Sequence, residues 1–203
     1  MGTKDRIMDV ALHMFSERGY EAVSIRDICG EVGIKESTLY YHFKNKQDIL
    51  DSLIAKFKEH IDGLLGHIDD IGTSPENRQK DDPGMQMMDS YMIDSYLFDP
   101  FCNLMLRLMM IEQFHNEEIR ALYEKTLFTD PYEIQKTVFK KLSTGGIIPE
   151  EEVESIVREY HSFLTMLTFK YLLNGDLTEE RKESYQKEVH EFMNSLASRR
   201  FGL

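Results

Sequence analysis

Three residues, Gly33-Ile34-Lys35, separate two stretches of helical periodicity near the start of the chain. Before them, Ser24-Ile25-Arg26-Asp27 has an N-cap serine and an acidic residue three positions later, a variant of the capping box. Ile28 and Val32 follow at one helical spacing, pointing inward. After them, a short helix over about 36–43 commits only Leu39 and Phe43 to the interior, four residues apart. Two helices joined by a three- or four-residue turn containing glycine form a helix-turn-helix. Gly33 serves there because positive φ reverses the chain without steric penalty. The second helix is left with Ser37, Thr38, Tyr40, Tyr41 and His42, a polar and aromatic surface on a very short element. A helix turns about 100° per residue, so three consecutive residues such as Tyr40, Tyr41 and His42 cannot all face inward.

The flanking segments complete a three-helix unit. Ile7, Val10, Ala11, Met14 and Phe15 fall on one stripe of a helix over about 4–18, with Thr3 as N-cap and Gly19 closing it. Asn45 is the expected N-cap of a fourth helix carrying Ile49, Leu50, Leu53, Ile54, Phe57 and Ile61, which frays near Gly63 and Gly66. The stretch 69–84, with Gly72, Pro75, Pro83 and Gly84 and no apolar period, reads as a loop. Beyond it every segment has helical periodicity. Helices are expected over about 85–98, from Asp99-Pro100 to about 115, from Asn116 to about 128, and from Asp130-Pro131 to about 143. Two longer ones follow, over about 150–173 and 178–198. The fold class is therefore all-α: an N-terminal helix-turn-helix domain over 1–46, and a helical body over 47–203.

Charge separates the same two parts. Of a net charge of −12, residues 1–50 carry −1 and residues 51–203 carry −11. An acidic body repels phosphates, so any nucleic-acid contact falls to a small local face.

The motif Ser24-Ile25-Arg26-Asp27-Ile28-Cys29, then Val32-Gly33-Ile34, then Ser37-Thr38-Leu39-Tyr40-Tyr41-His42-Phe43-Lys44-Asn45-Lys46, then Ile49-Leu50 resembles the tetracycline-repressor (TetR) family of bacterial regulators. The resemblance covers about the first quarter of the chain, without insertion. It implies a homodimer on a pseudo-palindromic operator in double-stranded DNA. It also implies a body that takes a small-molecule effector and releases the operator when it does. On the family's pattern Ser37, Thr38 and Tyr41 face base edges, Tyr40, His42 and Lys46 hold phosphates, and Ser24 and Arg26 start a helix whose N-terminus favours a phosphate. Lys35 stands where the family often has a small hydroxyl cap, and completes the expected DNA face. Glu36 could accept from a cytosine amino group or stabilise the helix N-terminus through its dipole. The alternative reading is a TetR-like co-regulator that works through protein contacts without binding DNA.

Of the 12 methionines, seven lie between Met85 and Met110, with aromatic residues among and near them. Flexible thioethers and aromatic rings line adaptable apolar pockets, and they also fill ordinary cores. A pocket over about 85–128 is expected to use Met88, Tyr91, Met92, Met105, Met109, Phe114 and Tyr123, for an apolar or aromatic effector. The two long helices over about 150–198 carry wide apolar stripes suited to a four-helix dimer interface.

Other classes find little support. There is no nucleophile motif, phosphate loop or second Glu-x-x-His beside Glu112 and His115, so no catalytic residue, metal or cofactor is expected. The short apolar run 104–111 is broken by Arg107, too short for a membrane span. Cys29 and Cys102 make no disulfide framework. With a charged, amphipathic N-terminal segment unlike a signal peptide, they place the expected protein in the cytoplasm.

Overall fold

A computed structural model describes residues 2–73, 93–146 and 148–201 of the 203. Among them every regular element is helical: α1 Thr3–Arg18, α2 Ile25–Val32, α3 Glu36–His42, α4 Lys46–Thr73, α5 Pro100–Glu112, α6 Glu117–Glu124, α7 Asp130–Thr144, α8 Val153–Leu167 and α9 Glu179–Phe201. The chain divides into two compact units, Met1–Arg120 and Ala121–Leu203.

In the first unit the apolar stripe of α1 supplies Ile7, Ala11, Leu12 and Phe15 to the core. It meets Ile28 and Val32 of α2, Leu39 of α3, and Ile49, Leu50, Leu53 and Phe57 of α4, all buried. Burial of each large side chain contributes about 1.5–3 kcal/mol. α5 packs along α1 as well, burying Met105, Leu106, Leu108 and Met109 completely.

Local signals set most boundaries. The Ser24 and Asp27 capping box is formed in both directions. Gly33 takes φ +77°, and its N–H and that of Ile34 both donate to the Cys29 carbonyl, at 2.9 and 3.0 Å. Asn45 accepts the Asp48 N–H at 2.9 Å, and Asp99 accepts the Cys102 N–H at 2.8 Å with Pro100 opening the helix. The N-cap of α1 is Gly2 rather than Thr3.

Two expected breaks are absent. α4 runs through Gly63 and Gly66 to Thr73, since a glycine costs a helix only about 1 kcal/mol against alanine and Ile61 and Leu64 bury a continuing face. Asp130-Pro131 does not restart a helix: backbone curvature continues from α6 through a π-helical segment, Lys125–Thr129, into α7. Proline has no N–H to donate, and a wider π turn lets the chain pass that gap. Much of the 69–84 loop and of the 85–98 helix lies outside the described residues; Ile93–Leu97 is π-helical.

In the second unit α7 and α8 pack through Phe139 and Tyr160, rings 5.6 Å apart. A third π-helical segment, Thr168–Leu173, extends α8. The guanidinium of Arg181 closes that end, donating to the carbonyls of Tyr171 at 2.6 Å and Lys170 at 3.1 Å. α9 is held by Tyr185, fully buried, and by Arg199 and Arg200 on Glu159.

Candidate nucleic-acid interface

The short helix α3 divides sharply into two faces. Leu39 is 0% and Phe43 2% exposed, whereas Tyr40 is 51% and Tyr41 84% exposed. Glu36, Ser37 and Thr38 are also exposed, and His42 is half-buried with its ring edge-on to Tyr41 at 5.1 Å. Leu39 anchors the helix, so Ser37, Thr38 and Tyr41 project together from the outer side. Lys35 is the N-cap residue without a side-chain cap bond and is exposed. An exposed aromatic beside two hydroxyls suits the major groove, which is about 12 Å wide and offers base edges and thymine methyls.

The expected phosphate contacts are placed unequally. Arg26 is exposed in the first turn of α2. Ser24 donates both its N–H and its hydroxyl to Asp27, at 2.9 and 2.6 Å. The hydrogen bond from the Ser24 side chain, foremost, holds the Asp27 carboxyl below the usual range. Lys46 donates to the Tyr20 carbonyl at 2.8 Å, and its ammonium lies 4.0 Å from the centre of the Tyr20 ring. Its charge therefore also orders the turn after α1.

That turn is a junction the sequence did not reveal. Tyr20 donates its hydroxyl to Gln47 at 3.0 Å, and its backbone N–H to the Glu112 carboxylate at 2.7 Å. Glu112 ends α5 and is buried. Gly19 stands at φ +79°, where a Cβ would lie 3.2 Å from the Glu112 Oε1 and 3.4 Å from Ile111. The junction thus joins α1, the start of α4 and the end of α5, and α3 packs against α1 and α2.

The residues expected to bind an effector fall partly in each unit and partly outside the described residues. Met88, Tyr91 and Met92 lie outside the described residues. Met105 and Met109 are wholly buried in the first unit. Phe114 is 82% exposed. Tyr123 is buried in the second unit, with Phe128 edge-on at 5.9 Å. Its hydroxyl has no hydrogen-bond partner among the described residues, and burial pushes its pKa up to about 12.

The arrangement defines a helix-turn-helix domain joined to an all-helical body. Residues 7–53 match the family described as bacterial regulatory proteins, tetR family. Over that segment the chain is similar to the DNA-binding part of TetR-family regulators. A negative regulator of a biofilm operon, IcaR of Staphylococcus epidermidis, is 43% identical over 68 residues, 33% of this chain and 37% of its own. The transcriptional repressor KstR2 of Mycolicibacterium smegmatis is 35% identical over 72 residues, 36% of this chain and 35% of its own. The chain thus spans little more than a third of the length of these relatives.

The likeness in fold runs further. A transcriptional regulator of Saccharomonospora viridis, solved in complex with choline, superposes with a TM-score of 0.64 at 20% identity, over 94% of this chain and 95% of that one. The ketosteroid regulator KstR2 of Mycobacterium tuberculosis gives 0.63 at 20% identity, over 96% and 94%. At such identities the likeness is one of fold, an all-helical body behind an N-terminal helix-turn-helix. No helix among the described residues is long and apolar enough to cross a membrane.

Proposed function

We propose that this chain is a DNA-binding transcriptional repressor that works as a homodimer and leaves its operator when a small molecule binds the helical body. The observation that carries the reading is the outer face of α3. Tyr41 is 84% exposed and meets the His42 ring edge-on, so it presents an aromatic surface to water. With Ser37 and Thr38 beside it, the face offers hydrogen bonds and an apolar contact to base edges. Arg26, Lys35, Tyr40, His42 and Lys46 surround it as contacts for the phosphate backbone.

Two recognition helices give the affinity and the two-fold symmetry that one cannot. Support for a dimer comes from α8 and the π-helical segment after it. Met166 is 49% and Phe169 37% exposed, and half-buried Phe163 stacks on Phe192 at 4.2 Å. These residues form an apolar strip suited to a second copy. For the effector, support comes from the Tyr123 hydroxyl, buried without a hydrogen-bond partner among the described residues. Such a group favours an occupant that can hydrogen-bond to it.

A titration of the purified chain with duplex from its own promoter region tests this reading. Sequence-selective binding that weakens steeply with salt is expected. Absence of binding, or binding indifferent to sequence, refutes it.

A further inference from the structure

His60 of α4, Asp99 at the N-cap of α5 and Cys102 in its first turn come together in the first unit, with one potential ligand atom from each within 4.8 Å of the others. We propose that these three side chains form a binding site for one Zn²⁺-like divalent transition metal ion, pinning α4 to the start of α5. An imidazole, a carboxylate and a thiolate suit zinc and its neighbours rather than Mg²⁺ or Ca²⁺. Three protein ligands leave a fourth tetrahedral position for water. Ligand distances of about 2.0–2.3 Å put the donors roughly 3.3–3.7 Å apart, so they must draw in by about 1 Å.

The surroundings favour such a contraction. Asp99 uses one oxygen to cap the Cys102 N–H at 2.8 Å, and a carboxylate has a second oxygen to offer. His60 Nε2 lies 3.4 Å from the Ser95 carbonyl. Donation there places the lone pair on Nδ1 and fixes the ring, the outer support that metal-binding histidines use. The Ser95 carbonyl belongs to the π-helical segment Ile93–Leu97, an irregular turn of the kind that gathers at functional sites. Phe101 flanks His60 edge-on at 6.4 Å. Cys102 is fully buried, whereas His60 and Asp99 are half-buried, so the site is open to solvent from their side.

Binding is a simple exchange. An ordinary cysteine thiol, with a pKa of about 8.5, is mostly protonated near neutral pH. Coordination forms the sulfur–metal bond and releases the thiol proton to solvent; no electron moves. α4 leads directly out of the helix-turn-helix, and α5 packs on α1, which in turn packs on α3, so the ion would bear on how α3 is held. The last step rests on the repressor reading; the site does not.

Co²⁺ titration of the full DNA-free chain under reducing conditions tests the site. The expected result is one equivalent bound, with a thiolate-to-cobalt charge-transfer band and the visible bands of tetrahedral cobalt. Cys102→Ser should abolish the charge-transfer band, and Cys29→Ser should leave it intact. His60→Gln and Asp99→Asn should weaken binding while preserving the helical circular dichroism spectrum; Asn keeps the N-cap acceptor. No band, or a band that survives in Cys102→Ser, overturns the site. In a second arm, Zn²⁺ should change promoter affinity by about 5- to 150-fold in the natural chain and not in His60→Gln. Intact cobalt binding with unchanged promoter affinity overturns the regulatory role alone.

Discussion

The carboxylate of Glu112 accepts the backbone N–H of Tyr20 at 2.7 Å, joining residues 92 apart in sequence. The bond satisfies a donor at the end of α1 and places a buried charge on a backbone group instead of on a cation. Removal of the acceptor leaves the Tyr20 N–H unpaired. Glu112→Ala should therefore destabilise the first unit by about 1–3 kcal/mol, and Glu112→Gln, which keeps an acceptor, should cost less. Urea denaturation of both variants checks the order; equal losses would mean that the hydrogen bond contributes nothing.

Gly19 sits between those two groups. At φ +79° any side chain is strained, and a Cβ would press on Glu112 and Ile111. Gly19→Ala should cost about 1–3 kcal/mol, while Gly30→Ala, with nothing within 4 Å of the new Cβ, should stabilise α2 by roughly 0.5–1 kcal/mol. Thermal melts of the pair should move in opposite directions.

On α3 the two faces should separate cleanly by mutation. Leu39→Ala empties a fully buried position and should destabilise by about 2–5 kcal/mol. Tyr41→Ala touches an exposed ring and should leave the melting temperature nearly unchanged, yet weaken promoter binding by about 1–3 kcal/mol. A Tyr41→Ala chain that binds as well as the natural one would remove Tyr41 from the interface.

His161 gives the second unit a pH dependence. Burial lowers its pKa below the ordinary 6.5, and its ring meets Gln135 at 3.1 Å and Thr165 at 3.5 Å. The unfolded chain then binds more protons than the folded one between the two pKa values, so stability rises with pH there. As pH falls below about 6.5 the second unit should weaken. His161→Gln should flatten that slope in denaturation curves taken between about pH 5 and 7.

What the sequence made legible was local. Ser24 and Asp27, Asn45, and Asp99-Pro100 announce helix starts because capping is a matter between neighbours three residues apart. Leu39 and Phe43 declare the inner face of α3 by spacing alone, and so leave Tyr41 outside. Tertiary facts were not written that way. Gly63 and Gly66 stay helical because Ile61 and Leu64 bury the same face. Pro131 stays inside a helical path because a π turn precedes it. Glu112 meets Tyr20 because α5 packs along α1, and His60 comes within reach of Asp99 and Cys102 where a side chain of α4 approaches the start of α5. No spacing pattern links residues about 40 or 90 positions apart.

The central claim, that the outer face of α3 reads DNA in a two-fold assembly, is most directly tested by fluorescence anisotropy of promoter-region duplex titrated with the full chain over a range of salt. Two chains per duplex, a steep negative salt slope and loss of sequence preference in Thr38→Ala with Tyr41→Ala are predicted. Binding by a single chain, or a preference untouched by the double substitution, would contradict it.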